Sequence, residues 1–267
     1  MLYILDTADL EAIRHCNEFY PLAGVTTNPS IIAKEKTDFW RLVGEIRAVI
    51  GGGKMLHVQT VQKTAEKMVE EAELLKARIG GELYIKIPIG EEGLKATMEL
   101  KKRGIGVTMT AIFTPAQALI AAKAGASFVA PYVNRLDNIL GDGARVVGEI
   151  AGQFRLYGMD CRVLAASFKN AEQVHRCAMA GCQSVTVSAD ILKAVISHPM
   201  TDAAVTGFDR DWAGVYGGRT ILDFRTRGRG ALSKRKRSGR PRPYTKSRAN
   251  ASKPCSIILT RQRFGRR

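Results

Sequence analysis

Lys86 lies inside an apolar run, Leu83-Tyr84-Ile85-Lys86-Ile87-Pro88-Ile89. If the run is a strand, Tyr84, Lys86 and Pro88 share one face and Leu83, Ile85, Ile87 and Ile89 the other, because strand side chains alternate. An amine set among apolar groups is disfavoured as the ammonium. Its pKa falls, and the free amine becomes a nucleophile toward carbonyls. Lys86 is therefore a Schiff-base candidate. The competing reading is a lysine whose stem packs while its head reaches water. What decides between them is the set of side chains that gathers at the end of the same strand.

The surrounding pattern alternates between short apolar strands and amphipathic helices. Strands are expected at 3–6, 24–28, 55–59, 83–89, 106–111, 127–133, 162–167 and 184–188. Helices are expected at 9–19, from Ser30 through Ile50, at 64–79 and 91–103, from Thr114-Pro115 onward, and at 143–156, 171–179 and 189–196. A last helix, 202–215, carries Phe208 and Trp212 four residues apart. Eight strands, each followed by a helix, predict a closed (β/α)8 barrel with an extra C-terminal helix. A doubly wound open sheet competes, but it usually wants a glycine-rich loop after its first strand. Here Asp6-Thr7-Ala8-Asp9 stands in that place.

In such barrels the chemistry sits at the C-terminal ends of the strands. That rule selects Asp6, Thr26, Asn28, Gln59, Lys86, Thr110, Tyr132, Asn134, Arg135, Ser167, Lys169 and Ser188. The set has no paired carboxylates for glycoside hydrolysis and no ligand cluster for a divalent metal. Arg135, Ser167 and Lys169 follow strands six and seven, beside the region that often holds phosphate; a guanidinium, a hydroxyl and an ammonium suit a phosphate dianion. Plainer readings exist for some. Asp6 could start a turn or cap a helix, Asn28-Pro29-Ser30 could be turn chemistry with Ser30 as the cap, and Tyr132 could be a core ring.

Five strings taken together carry a resemblance. They are Leu5-Asp6-Thr7, Pro21-Leu22-Ala23-Gly24-Val25-Thr26-Thr27-Asn28-Pro29-Ser30-Ile31-Ile32, Ile85-Lys86-Ile87-Pro88, Ala130-Pro131-Tyr132-Val133-Asn134-Arg135 and Ala165-Ala166-Ser167-Phe168-Lys169. Over residues 1–222 the chain resembles the small transaldolase-like family of class I aldolases, and within it the fructose-6-phosphate aldolase branch. The resemblance implies a Schiff base on Lys86, with no metal and no cofactor. It implies that Asp6 and Asn28 hold substrate hydroxyls and assist proton transfer, with Thr26 in the same motif. It places phosphate at Arg135 and Ser167, with Lys169 a weaker carry-over. Transaldolases of the family have a glutamate at the strand-three position and a phenylalanine at the strand-six position. Gln59 and Tyr132 stand there in this chain. A phenol can share a water with Gln59 and Thr110 and so move the proton that frees a three-carbon product; a phenyl ring cannot. The resemblance further implies a sugar-phosphate substrate and a ring-type homo-oligomer, a decamer, with the Phe208/Trp212 helix reaching a neighbour.

Charge divides the chain differently. Sixteen of the 41 Lys and Arg fall in residues 225–267, which contain no Asp or Glu; the 25 remaining basic residues balance the 25 acids. The net charge of +16 therefore belongs to 225–267; the basic extension is taken as 223–267 and the barrel as 1–222. The extension lacks periodicity and is expected to be disordered. It reads as an arm binding nucleic acid non-specifically through phosphates, as a polybasic membrane-surface segment, or as an extension without selected function such as a shifted reading frame produces. No apolar run approaches membrane-spanning length, and the N-terminus enters a strand without a secretory pattern. The five cysteines lack metal spacing, which fits free thiols and a cytoplasmic protein. The function classes left are an aldolase on fructose 6-phosphate, a transaldolase that keeps its three-carbon unit for an acceptor, and, more remotely, a nucleic-acid-binding protein.

Overall fold

The apolar runs form the parallel strands that their composition asks for. The computed structural model describes residues 1–224. Eight strands pair in chain order: β1 (Leu2–Asp6), β2 (Leu22–Thr26), β3 (Met55–Gln59), β4 (Leu83–Pro88), β5 (Gly106–Ile112), β6 (Phe128–Pro131), β7 (Arg162–Ala165) and β8 (Ser184–Val187). All pairings are parallel, and β1 joins both β2 and β8, so the sheet closes. The helices are α1 (Leu10–Phe19), α2 (Pro29–Lys34), α3 (Phe39–Ile50), α4 (Ala65–Ile79), α5 (Glu91–Lys102), α6 (Pro115–Lys123), α7 (Val133–Asp137), α8 (Gly143–Leu156), α9 (Ala171–Met179), α10 (Ala189–Ile196) and α11 (Pro199–Tyr216). The architecture is a (β/α)8 barrel with an additional C-terminal helix.

Strand alternation sorts side chains into two cores. In β4, Leu83, Ile85 and Ile87 join the layer between strands and helices, together with Val58, Val107, Met109, Leu100 and Ala96. Tyr84 and Lys86 point the other way, into the barrel. At its lower end the interior is filled by Ile4, Met55, Phe128 and Leu164 with Tyr84 against them. Higher up it turns polar, with Thr26, His57, Lys86, Thr108, Thr110 and Thr186 all buried. Two glycines allow close approaches that a Cβ would block. At Gly24 it would lie 2.1 Å from the Met55 carbonyl oxygen, where β2 meets β3. At Gly93 it would lie 2.2 Å from the Pro88 carbonyl oxygen, where α5 folds back onto the strand of Lys86.

Several helix starts are capped by short polar side chains, which satisfy amides that have no partner within the helix. Asp9 accepts from the Glu11 and Ala12 amides, Asn28 from Ile31, Asp142 from Arg145, and Asn170 from Gln173. Thr114 and Gln117 form a reciprocal capping box. Asn28 rather than Ser30 thus caps α2, and Asp6 caps nothing.

Three expectations need correction. The stretch 30–50 is two helices, because Lys36 takes a left-handed φ of 49° and Asp38 caps a new helix through the Arg41 amide. The sixth strand ends at Pro131; Tyr132 makes an isolated bridge to Ala166, and Val133–Asp137 turns into α7. The last helix is longer than expected, Pro199–Tyr216, and a 3-10 turn follows at Ile221–Phe224. Cα packing divides the chain into Met1–Phe208 and Asp209–Arg267. Within the described part of the second unit, the Trp212 indole N–H donates to the Arg219 carbonyl at 2.6 Å, and Tyr216 packs on Phe224. The expectation of a disordered basic extension lies outside the described residues apart from its first two positions.

Candidate active site

Lys86 occupies the middle of β4, paired in register with Gln59 of β3 and Thr108 of β5. Its side chain is 6% exposed. Among the described residues the ammonium head meets no carboxylate within salt-bridge distance; instead Nζ donates to the Thr27 backbone carbonyl at 2.7 Å. Burial holds the Lys86 pKa below the ordinary lysine range, and the Asp6 carboxylate pulls weakly the other way. A lysine in this position spends more of its time as the neutral amine than a surface lysine does, and one carbonyl fixes where that amine points.

Asp6 ends β1 and stands opposite Thr26 of β2. The Thr26 hydroxyl donates to Asp6 Oδ1 at 2.6 Å and lies 2.6 Å from the Thr186 hydroxyl of β8. A threonine has a single hydroxyl proton, so Thr186 must be the donor in the second contact. The result is a directed chain, Thr186 to Thr26 to Asp6, that orients the carboxylate beside Lys86. Asn28 follows on the same strand end. Its Oδ1 is taken by the Ile31 amide, which leaves Nδ2 as the group it can offer to a ligand.

On the other side, the Thr110 hydroxyl and the Tyr132 phenol are 3.0 Å apart. Tyr132 is half-buried, edge-on to Phe113, and the Arg135 guanidinium lies 4.6 Å over its ring. Arg135 itself is exposed on α7. Ser167 follows β7 with a left-handed φ of 62°, and its carbonyl accepts the Asn134 amide at 2.8 Å. Lys169 is exposed in the same loop, where its charge helps lower the Asp190 pKa. Ser188 lies at the cap position of α10 and makes no side-chain hydrogen bond to the helix start.

Among the predicted residues, Asp6 and Thr26 are hydrogen-bonded beside Lys86, Tyr132 meets both Thr110 and Arg135, and Ser167 is tied to the β6 side through the Asn134 amide. Gln59 reaches the mouth through its register pairing with Lys86, and Lys169 stands at its rim.

Two residues that matter were not among the candidates. Thr27 holds the lysine through its main chain, a role no side-chain reading detects. His57, inside β3, is fully buried. Its Nδ1 is 2.8 Å from the Thr108 hydroxyl, its ring stacks on Tyr84 at 4.9 Å, and Nε2 has no partner among the described residues. Burial, with the Lys86 charge adding to it, pushes the His57 pKa down to about 3. His57 is a neutral imidazole beneath the lysine. A lone histidine in an apolar strand carries no spacing signal; only its even parity with Lys86 in the barrel interior marks it.

Two solved structures share the architecture. One, described as "Native KDPGal structure", superposes with a TM-score of 0.50 at 19% identity, over 71% of this chain and 82% of that one. The other, a mutant flavocytochrome b2 with benzoylformate, gives 0.53 at 13% identity, over 70% and 57%. At these identities they speak for the barrel alone. The sequence itself goes further, because residues 3–216 match the family model described as transaldolase/fructose-6-phosphate aldolase. That match covers nearly the whole barrel together with all of α11, and the chain belongs to the transaldolase/fructose-6-phosphate aldolase family.

Proposed function

We propose that the chain is a class I aldolase that reversibly cleaves fructose 6-phosphate into dihydroxyacetone and glyceraldehyde 3-phosphate. The observation that carries this reading is Lys86: a buried amine, without a carboxylate partner among the described residues, held by the Thr27 carbonyl among buried polar side chains. Family membership supports an aldolase or transaldolase chemistry. The choice between the two rests on Gln59 and Tyr132.

The neutral Lys86 amine attacks C2 of the open-chain ketose, and loss of water gives the iminium. The iminium draws the electron pair of the C3–C4 bond toward nitrogen. As that bond breaks, the C4 hydroxyl proton passes to the Tyr132 phenolic system, through a water held with Gln59 and Thr110. The C4 carbonyl of glyceraldehyde 3-phosphate forms, and its phosphate leaves from Arg135 and Ser167, with Lys169 at the rim. The remaining enamine takes a proton at C3 from the same network. Water then adds to the iminium and releases dihydroxyacetone and the Lys86 amine. Asp6, oriented by Thr26, and Asn28 through Nδ2 hold substrate hydroxyls and assist proton transfer during the addition and loss of water.

The second reading is a transaldolase that keeps the enamine until an acceptor aldehyde arrives; it shares every residue except the roles of Gln59 and Tyr132. The test is fructose 6-phosphate with no acceptor present. Free dihydroxyacetone over many turnovers is the expected result. Release that stops after one equivalent and resumes on adding erythrose 4-phosphate would make the protein a transaldolase. In either format, borohydride with dihydroxyacetone should label Lys86, and Lys86→Met should lose both labelling and roughly three or more orders of magnitude in turnover.

A further inference from the structure

The phosphate-binding candidates lie on two separate segments. Arg135 is on α7, after β6. Ser167 and Lys169 are in the loop after β7. Something must keep these segments at a constant spacing, because a dianion held by groups from both is bound only as well as their separation is fixed.

Gln173, the third residue of α9, is placed to do this. It is 8% exposed. Its Oε1 accepts the Lys169 amide at 2.8 Å. Its Nε2 donates to Asp137 Oδ2 at 2.7 Å and to Asn134 Oδ1 at 3.2 Å. Its own amide is capped by Asn170. One carboxamide therefore joins the β7–α9 loop to both ends of the α7 turn, with Arg135 between its two α7 partners and Lys169 as its loop partner. Asp137 in turn accepts the Gly143 amide at 2.8 Å, which anchors the joint to the start of α8. Gln117 is at the same third position of α6, but its Oε1 serves only the local amides of Phe113 and Thr114. The reach to a neighbouring element is particular to Gln173.

The backbone shows why the joint is needed. Ser167 is a non-glycine residue in the left-handed region, a strained conformation that persists only where the surroundings enforce it. Enforcement comes from both sides. The Ser167 carbonyl takes the Asn134 amide, and two residues on, the Lys169 amide is held by Gln173. We infer that Gln173 is a positioning residue for the phosphate subsite, setting the spacing between Arg135 and the Ser167–Lys169 loop without itself touching the substrate. This rests on the phosphate role proposed for those three residues.

The test runs the reaction in the direction of synthesis, with dihydroxyacetone and either glyceraldehyde 3-phosphate or unphosphorylated glyceraldehyde. Gln173→Met keeps the volume and removes both the donor and the acceptor. The expected result is a rise of about tenfold in KM for the phosphorylated aldehyde, with kcat, and both constants for glyceraldehyde, within about twofold of the unmutated protein. Asp137→Asn attacks the same joint from α7 and carries the same expectation should Gln173→Met fail to fold. The double variant Gln173→Glu with Asp137→Asn reverses donor and acceptor across the joint and should recover part of the lost affinity. Equal losses on both aldehydes, or no loss on the phosphorylated one, would overturn the assignment. Arg135→Ala separates the two ideas. If it too leaves the phosphorylated aldehyde unaffected, the phosphate subsite is misplaced; if it alone raises that KM, only the role of Gln173 fails.

Discussion

Burial in the same interior lowers the pKa of both Lys86 and His57, and each gives a measurable pH signature. For Lys86, burial lowers the pKa and Asp6 opposes it. Asp6→Asn removes the charge that favours the ammonium, so the acid limb of Schiff-base formation should move to lower pH. The rate of borohydride inactivation with dihydroxyacetone, measured across pH, reads this directly; a limb that stays put or moves up would deny the coupling. For His57 the folded-state pKa is depressed to about 3 from 6.5. Above about pH 6.5 both folded and unfolded chains carry a neutral ring, and the group adds no pH dependence. Below it the unfolded chain takes a proton that the folded one refuses, so stability falls on acidification by up to about 1.4 kcal/mol per pH unit. Between about pH 6.5 and 5, before carboxylates titrate, denaturant unfolding should show this slope, and His57→Phe should flatten it. A slope unchanged by the substitution would place its origin elsewhere.

At the scale of elements, the position of β4 relative to its helix is the sensitive joint. Gly93 lets α5 return against Pro88 with no room for a methyl group, and the obstacle is backbone. Gly93→Ala should therefore push α5 off the strand that carries Lys86 and cost about 1–3 kcal/mol. Gly152, within α8, has open space around its missing Cβ. Gly152→Ala is the matched control and should be neutral or stabilising by up to about 1 kcal/mol. Thermal unfolding of the two variants should differ in sign; similar shifts would mean that the close approach is not a constraint. The same joints explain what could be read from sequence. Met55–Gln59, Gly143–Leu156, Ala171–Met179 and Ala189–Ile196 are as expected, because each is bounded by a clear change of hydrophobic period. The break at Lys36 was hidden, since the apolar spacing of α3 continues in phase with α2. Turn α7 was hidden because Tyr132-Val133 extends the apolar run of β6. At the site, side chains at strand ends were legible from the barrel rule. His57 and Gln173 were not: one is a lone histidine in an apolar strand, the other an amide at a helical position that sequence patterning assigns to solvent.

At the scale of the whole molecule, charge and apolar surface point to different partners. Residues 1–224 balance their charges, and the excess of +16 belongs to 225–267. The apolar surface is elsewhere: on α11, Met200, Val205, Phe208 and Val215 are exposed, as is Ile196 at the end of α10. Large apolar side chains grouped on one helix usually mark an interface. We expect the chain to assemble with copies of itself, sedimenting at a multiple of 29.2 kDa. Phe208→Lys should shift it toward the monomer, and a monomeric unmutated protein would refute the expectation.

The alternation along β4 has a consequence for how this strand can change over generations. Leu83, Ile85 and Ile87 face the helices, while Tyr84, Lys86 and Pro88 share the other parity. Selection for a sturdier fold and selection for altered reactivity therefore act on different residues of the same six-residue segment. Variation at the odd positions, and at Tyr84 in the lower core, is read out in melting behaviour, and variation at Lys86 in chemistry. The strand can drift on one side while the other is held constant.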